Sequence, residues 1–233
     1  AVSVAARAAP VEKERRRVRA GRPGGRYNPL TDADINKIQE AALTALEDIG
    51  LCEAPSSGIK ILTDAGAKLG DDGRIRFPRA LVQDMLALAA KEVTLPGRSP
   101  ENDLHLADNK VHYGTAGAAV HMVDIDGNAY RDSTLRDLYD AALIADQLDN
   151  IHFLQRPLVA RDVLESQALD INTIYACCSG TLKHIGNSFV DPSTVPQCVE
   201  LRYEISGGET AFRARPFVST SNCFVVPPMK LAT

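Results

Sequence analysis

Apolar residues recur at helical spacing early in the chain. Ile35, Ile38, Ala42, Leu46 and Ile49 follow Thr31, with Asp34 three positions after it as an acidic capping-box partner, and Gly50 ends the run. A second, short helix is expected after Pro55. Asp71-Asp72-Gly73 reads as a turn between short extended pieces, since Ile75 and Phe77 alternate with polar residues. Pro78 opens a third helix that should pass Met85 and end near Lys91.

Residues 103–132 have strand-like alternation. Leu104 and Leu106 alternate before Asp108-Asn109, and Val111 and Tyr113 alternate after it, which predicts a hairpin. Val120 and Met122 precede a turn at Asp126-Gly127. Gly114-Thr115-Ala116-Gly117 lacks the Lys and Ser/Thr of a phosphate loop and reads as a flexible connection.

The pattern then becomes regular. Ser133 or Thr134 caps a helix to about Gln147, and a strand follows at 151–155. A helix spans about Leu164 to Cys178, with a strand at 184–189. Asp191, Ser193 and Pro196 open a helix ending at Gly207-Gly208, followed by a strand at 217–220. Strand starts near Val120 and positions 151, 184 and 216 recur about every 31 to 33 residues, the length of one parallel strand–helix unit. The expectation is an α/β fold with parallel strands from Val120 to Thr220. Both a doubly wound sheet and a (β/α)8 barrel use such units, and no G-x-G-x-x-G follows a strand. A full barrel takes about 250 residues, so the regular part amounts to about half of one. Pro228 to Thr233 reads as the first turn of a further helix. The expected organisation is a disordered basic leader at 1–29, a helical and hairpin extension at 30–118, and the first half of a barrel at 119–233.

Composition narrows the function classes. The net charge of −4 does not point to nucleic acid, and the basic run from Lys13 to Arg26 carries too few interleaved aromatics for a binding arm. No stretch of about 20 apolar residues occurs, and the N-terminus has no signal-like apolar core, so no membrane span and a cytoplasmic location are expected. The 5 cysteines are odd in number and form no C-x-x-C pair, the pattern of reduced thiols. Cys177-Cys178 reads as two buried small side chains. His105, His112 and His121 have no recognised metal-ligand spacing, so no metal is expected. Asp124-Ile125-Asp126-Gly127-Asn128 begins like a calcium loop, but Ala129 and Leu135 stand where Gly and Glu are needed.

The candidate chemistry lies at the carboxyl ends of the predicted strands, where the site loops of a barrel converge. Gln155 and Arg156, Asn187 and Ser188, and Ser221 beside Ser219, Thr220 and Asn222 occupy these positions. This set of amides, hydroxyls and one guanidinium suits orienting a small polar molecule. It provides no nucleophile–base pair and no carboxylate dyad. Ser, Thr and Asn also cap helices, so each of these residues has a structural alternative. Asn187 is the foremost candidate because Gly186 before it permits close approach of a ligand.

Several segments, taken in order, resemble the trimethylamine methyltransferase family: His112 to Gly117 running to Asp124, Arg131-Asp132-Ser133-Thr134 with Asp137, Asn150-Ile151-His152, Thr181-Leu182-Lys183-His184, and Pro216 to Pro228. The helical opening from Leu30 to Gly50 also fits. The resemblance covers residues 27–233 and about the first half of a family member. It implies a (β/α)8 barrel with an N-terminal extension. It also implies methyl transfer from a methylated amine, tertiary or quaternary, to cob(I)alamin on a partner corrinoid protein, with no cofactor held tightly by this chain. Homo-oligomerisation is left open. Phe153, Phe189 and Phe217 are candidate faces for a quaternary ammonium group, although core packing is the stronger reading of them. Arg156 would suit a substrate carboxylate. By the same resemblance this chain alone is not expected to transfer methyl groups. Two alternatives stand beside this one: a truncated non-catalytic fragment or binding module, and a pterin-dependent barrel methyltransferase.

Overall fold

The computed structural model describes residues 18–221 and the backbone of 224–225 and 230–231. Residues 25–91 form one compact unit, and residues 18–24 with 92–221 form another. Although 18–24 belong to the expected leader, β1 (Arg22–Pro23) pairs antiparallel with Lys110–Val111, and Val18 is buried. The basic positions before Val18 lie outside the described residues.

In the unit of 25–91, α1 (Asp32–Thr44) starts at the expected capping box. The Thr31 side chain accepts from the Asp34 backbone N–H, and Asp34 accepts from the Thr31 N–H in return. The last turn, Ala45–Ile49, widens to a π-helix, and Gly50 ends it at φ 69°. A side chain at Gly50 would run into the Ile75 carbonyl. Then follow α2 (Ser56–Asp64), the antiparallel pair β2 (Lys68–Leu69) and β3 (Ile75–Arg76), and α3 (Arg79–Leu88). α3 ends before the expected Lys91, where Ala89 turns extended. Arg79 ties α3 to α1 through Glu40 at 2.6 Å, Glu47 at 2.8 Å and Thr44 at 2.7 Å.

In the second unit, β4 (Val93–Leu95) pairs antiparallel with β5 (Leu104–Leu106), and β6 (Lys110–Val111) pairs with β1. The expected hairpin between 104–106 and 111–113 is therefore not formed, because 104–106 pairs back with β4 just before it and 110–111 pairs with the distant β1. β7 (His121–Val123) and β8 (Tyr130–Asp132) do form the hairpin across Asp126-Gly127. This corrects the expectation that Val120 opens a parallel strand, since its neighbours pair antiparallel.

α4 (Leu135–Gln147) begins at Thr134 with a full capping box to Asp137. β9 (Leu154–Gln155), α5 (Ser166–Gly180), β10 (Ile185–Asn187), α6 (Val195–Ser206), α7 (Glu209–Ala214) and β11 (Val218–Thr220) complete the unit. The sequence reading omits α7, a short helix whose Glu209–Arg213 pair at 2.7 Å has i,i+4 spacing. The three strands are parallel and adjacent, in the order β11-β10-β9, with Leu154, Ile185 and Val218 in one row and Gln155, Gly186 and Ser219 in the next.

The position beside β9 is taken by the glycine segment. Gly114 bridges parallel to Phe153, and the Thr115 hydroxyl donates to the Gln155 carbonyl at 2.5 Å. Ala119 also bridges parallel to Leu158. The segment is thus paired backbone rather than the flexible connection its composition suggests. A Cβ at Gly114 would collide with the Phe153 ring, so the glycine permits the approach. Among the described residues the parallel sheet does not close into a barrel.

One face of this sheet lies under the helices. Leu138 and Ala142 of α4, Ile174, Cys177 and Cys178 of α5, Cys198 of α6, and Leu154, Ile185 and Val218 form the core. At Gly180, where α5 meets α4, a Cβ would stand 2.6 Å from that of Ala142. The expected helix over Pro228–Thr233 is not formed at Lys230–Leu231, which pairs antiparallel with Phe224–Val225. No helix among the described residues is long and apolar enough to cross a membrane.

Candidate functional site

A parallel sheet alternates its side chains between two faces. The row of Leu154, Ile185 and Val218 belongs to the core under the helices. Gln155, Gly186 and Ser219 therefore share the opposite face. Gly186 has no side chain, and the Gln155 amide lies over it, where a Cβ would strike Gln155.

The sequence candidates gather at the carboxyl end of the sheet. Arg156 donates to the Ser188 hydroxyl at 3.3 Å. The Ser221 N–H donates to the Asn187 carbonyl at 3.0 Å, and the Arg156 N–H donates to the Gly186 carbonyl at 3.0 Å. Gln155, Arg156 and Ser188 are partly buried, and Ser221 is exposed. Asn187 is 2% exposed, yet neither its amide nitrogen nor its oxygen has a hydrogen-bond partner. By alternation its side chain shares the face of Ile185. Nη1 of Arg156 is likewise buried without a partner. Buried polar atoms are nearly always paired, and each that is not costs about 1–3 kcal/mol. Asn222, next to the candidate set, lies outside the described residues.

The three aromatic candidates differ in their surroundings. Phe217 is buried edge-to-face against Phe212 at 5.4 Å, and Phe189 packs on the core beneath Arg202, also at 5.4 Å. These two are core rings. Phe153 covers Gly114.

Sequence reasoning missed the polar groups at the other end of β10. His184 and Lys183 are each almost wholly buried. The Lys183 ammonium donates to the carbonyls of Ala145 at 2.6 Å, Leu148 at 2.9 Å and Ile151 at 2.6 Å, which closes the carboxyl end of α4. His184 bridges the Pro96 carbonyl at 2.9 Å and the Ser219 hydroxyl at 3.0 Å. Burial pushes the His184 pKa below its ordinary value. One cue was present in the chain: Lys183 and His184 are polar residues directly before Ile185, the first residue of β10.

The remaining candidates separate. His112 packs edge-to-face on His152 at 5.0 Å, while His105 meets Thr94 and Glu92 and His121 meets Asp132. Among the described residues no group of three His, Cys, Asp or Glu is placed to hold a metal. Burial pushes the Cys177 thiol up to about 12 and the Cys178 thiol up to about 11, so both stay protonated and unreactive. Cys223 lies outside the described residues. Asp124 is held by Arg131, which also grips Asp137 with two nitrogens at 2.7 and 2.8 Å.

The sequence profile described as "Trimethylamine methyltransferase (MTTB)" matches residues 3–233. The chain belongs to this family. It is 25% identical over 199 residues to trimethylamine methyltransferase MttB of Desulfitobacterium hafniense (strain DSM 10664 / DCB-2), covering 85% of this chain and 40% of that protein. It is 27% identical over 213 residues to trimethylamine methyltransferase MttB1 of Methanosarcina mazei, covering 88% and 42%. It is 23% identical over 191 residues to the glycine betaine methyltransferase of Desulfitobacterium hafniense (strain Y51), covering 82% and 40%. The chain thus spans well under half the length of these curated relatives.

Proposed function

We propose that this chain provides the substrate-orienting strands of a methyltransferase. That enzyme moves a methyl group from a methylated amine to cob(I)alamin carried by a partner corrinoid protein. The reading includes a (β/α)8 barrel as the complete fold, a cytoplasmic location, and no catalysis by these 233 residues alone. The family match supports the reaction class, as do relatives acting on a tertiary and on a quaternary amine.

The observation that carries the reading is the gathering of polar groups at the carboxyl end of the parallel strands, where neither polar atom of the buried Asn187 amide is paired. Ligands of parallel α/β folds bind at that end. Gln155, Arg156, Ser188 and Ser221 surround the same end. Amides and hydroxyls hold a small polar molecule by placement, and the guanidinium suits a carboxylate such as that of a betaine. The donor set orients a substrate, and in this reading the cobalamin is brought by the partner corrinoid protein. Reduced cobalt, when presented, supplies the nucleophile. The chain's own residues fix the amine so that one methyl carbon is open to in-line attack.

The test is methylcobalamin formation from trimethylamine or glycine betaine by protein containing this chain, supplied with reduced corrinoid protein. Asn187→Ala is expected to slow it about 10- to 100-fold, or about 1.4–2.7 kcal/mol, with thermal unfolding unchanged. Absence of transfer from any methylated amine overturns the reading. Normal turnover with lowered stability assigns Asn187 to structure.

A further inference from the structure

The His184–Ser219 pair has a direction that its chemistry fixes. A carbonyl oxygen only accepts, so the 2.9 Å contact to Pro96 places a proton on Nδ1 of His184. The ring is 2% exposed, and burial disfavours a second proton. Nε2 is then a bare acceptor, and the Ser219 hydroxyl donates to it at 3.0 Å. With its one proton committed, the Ser219 oxygen presents only lone pairs. Ser219 is itself exposed, on the face it shares with Gln155 and Gly186. Gly186, between them, carries no side chain, and the Gln155 amide lies over it.

We propose that Ser219 is a specificity-determining residue of the methylated-amine site, accepting a hydrogen bond from the N–H of a protonated tertiary amine, with His184 as its positioning residue. This rests on the methylated-amine reading above. A tertiary ammonium ion carries one N–H and a positive charge, and an acceptor-only oxygen complements both. A quaternary ammonium ion has no N–H to give. The pair therefore selects the substrate class by what the nitrogen carries.

The test titrates the chain at pH 7 with trimethylammonium and, separately, with tetramethylammonium, two cations that differ by one methyl group. Trimethylammonium is expected to bind about 10-fold more tightly, the scale of one charge-assisted hydrogen bond. Ser219→Ala should erase that preference while leaving tetramethylammonium affinity unchanged, and Ser219→Thr should retain it. Nitrogen NMR of His184 should report a protonated Nδ1 and a bare Nε2, a signature that mere packing would not require. Equal binding of the two cations, or a preference that survives Ser219→Ala, overturns the inference and leaves the methylated-amine reading standing. A protonated Nε2 with bare Nδ1 overturns it as well. Binding of neither cation removes both the inference and the reading beneath it.

Discussion

The units of 25–91 and 92–221 were equally apolar to the eye in sequence, yet they use their apolar residues differently. In 92–221, Leu138, Leu154, Ile174 and Ile185 are each at most 1% exposed. In 25–91, Ile75 is as deeply buried, but Ile35, Ile38, Ile49, Leu86 and Leu88 of the helical runs are all exposed. The difference lies in topology. Parallel strands joined through helices give α4, α5 and α6 a sheet to cover. Within 25–91 the strands are the two-stranded ribbon of β2 with β3, and α3 is fastened to α1 by polar ties such as Arg79 to Glu40 and Glu47. Helical periodicity states that a stripe exists. It does not state that the stripe is covered.

The strongest way to break the core of 92–221 is to remove a polar residue. Lys183→Ala would orphan the three carbonyls that its ammonium satisfies. We expect a loss of roughly 3–5 kcal/mol, read from urea unfolding. An effect below about 1 kcal/mol would show that water replaces the ammonium there.

A matched pair of truncations sharpens the contrast directly. Leu138→Ala should cost about 2–5 kcal/mol, because the side chain is fully buried among α4, α5 and the sheet. Ile38→Ala in α1, whose side chain is 59% exposed, should stay within about 0.5 kcal/mol. Equal costs would mean that Ile38 is covered in solution.

The smallest effect is expected from acid. The chain's 5 histidines all lie in 92–221. Burial depresses the pKa of His112, His152 and His184. The unfolded chain takes up these protons near pH 6.5 and the folded chain resists them, so unfolding binds protons. Their contribution is complete above about pH 6.5 and declines as the pH falls below it. Asp137, held well below the ordinary carboxylate range by Arg131, adds a second loss at lower pH. Hydrogen exchange at pH 7.5 and 5.0, corrected for intrinsic rates, should show 92–221 loosening while 25–91, which has no histidine, holds constant. Uniform loosening of both would remove the histidines as the cause.

Much of this was legible in the chain itself. Thr31 with Asp34 announced one helix start to the residue, because a capping box is a local chemical fact, and the second start was legible as Ser133 or Thr134, of which Thr134 proves to be the cap. The spacing of the strands near 154, 185 and 218 was legible for the same reason. Pairing choice was not. Val120 opens an alternating run while Gly114 opens a stretch of small residues, and only the tertiary fit of Gly114 against Phe153 shows that the latter lies beside β9. At the candidate site, the residue types at the strand ends were readable, and the structure brings them to one end of the sheet. The Pro96–His184–Ser219 chain was not readable, because its links span 88 and 35 residues.

The lysine beneath β10 has a consequence for the chemistry of the intact surface. Its amine is enclosed and already donates to three main-chain oxygens. Reagents that modify amines will label the outward lysines and pass this one by. Its rate of labelling is then a clock for the moments when the last turn of α4 comes undone.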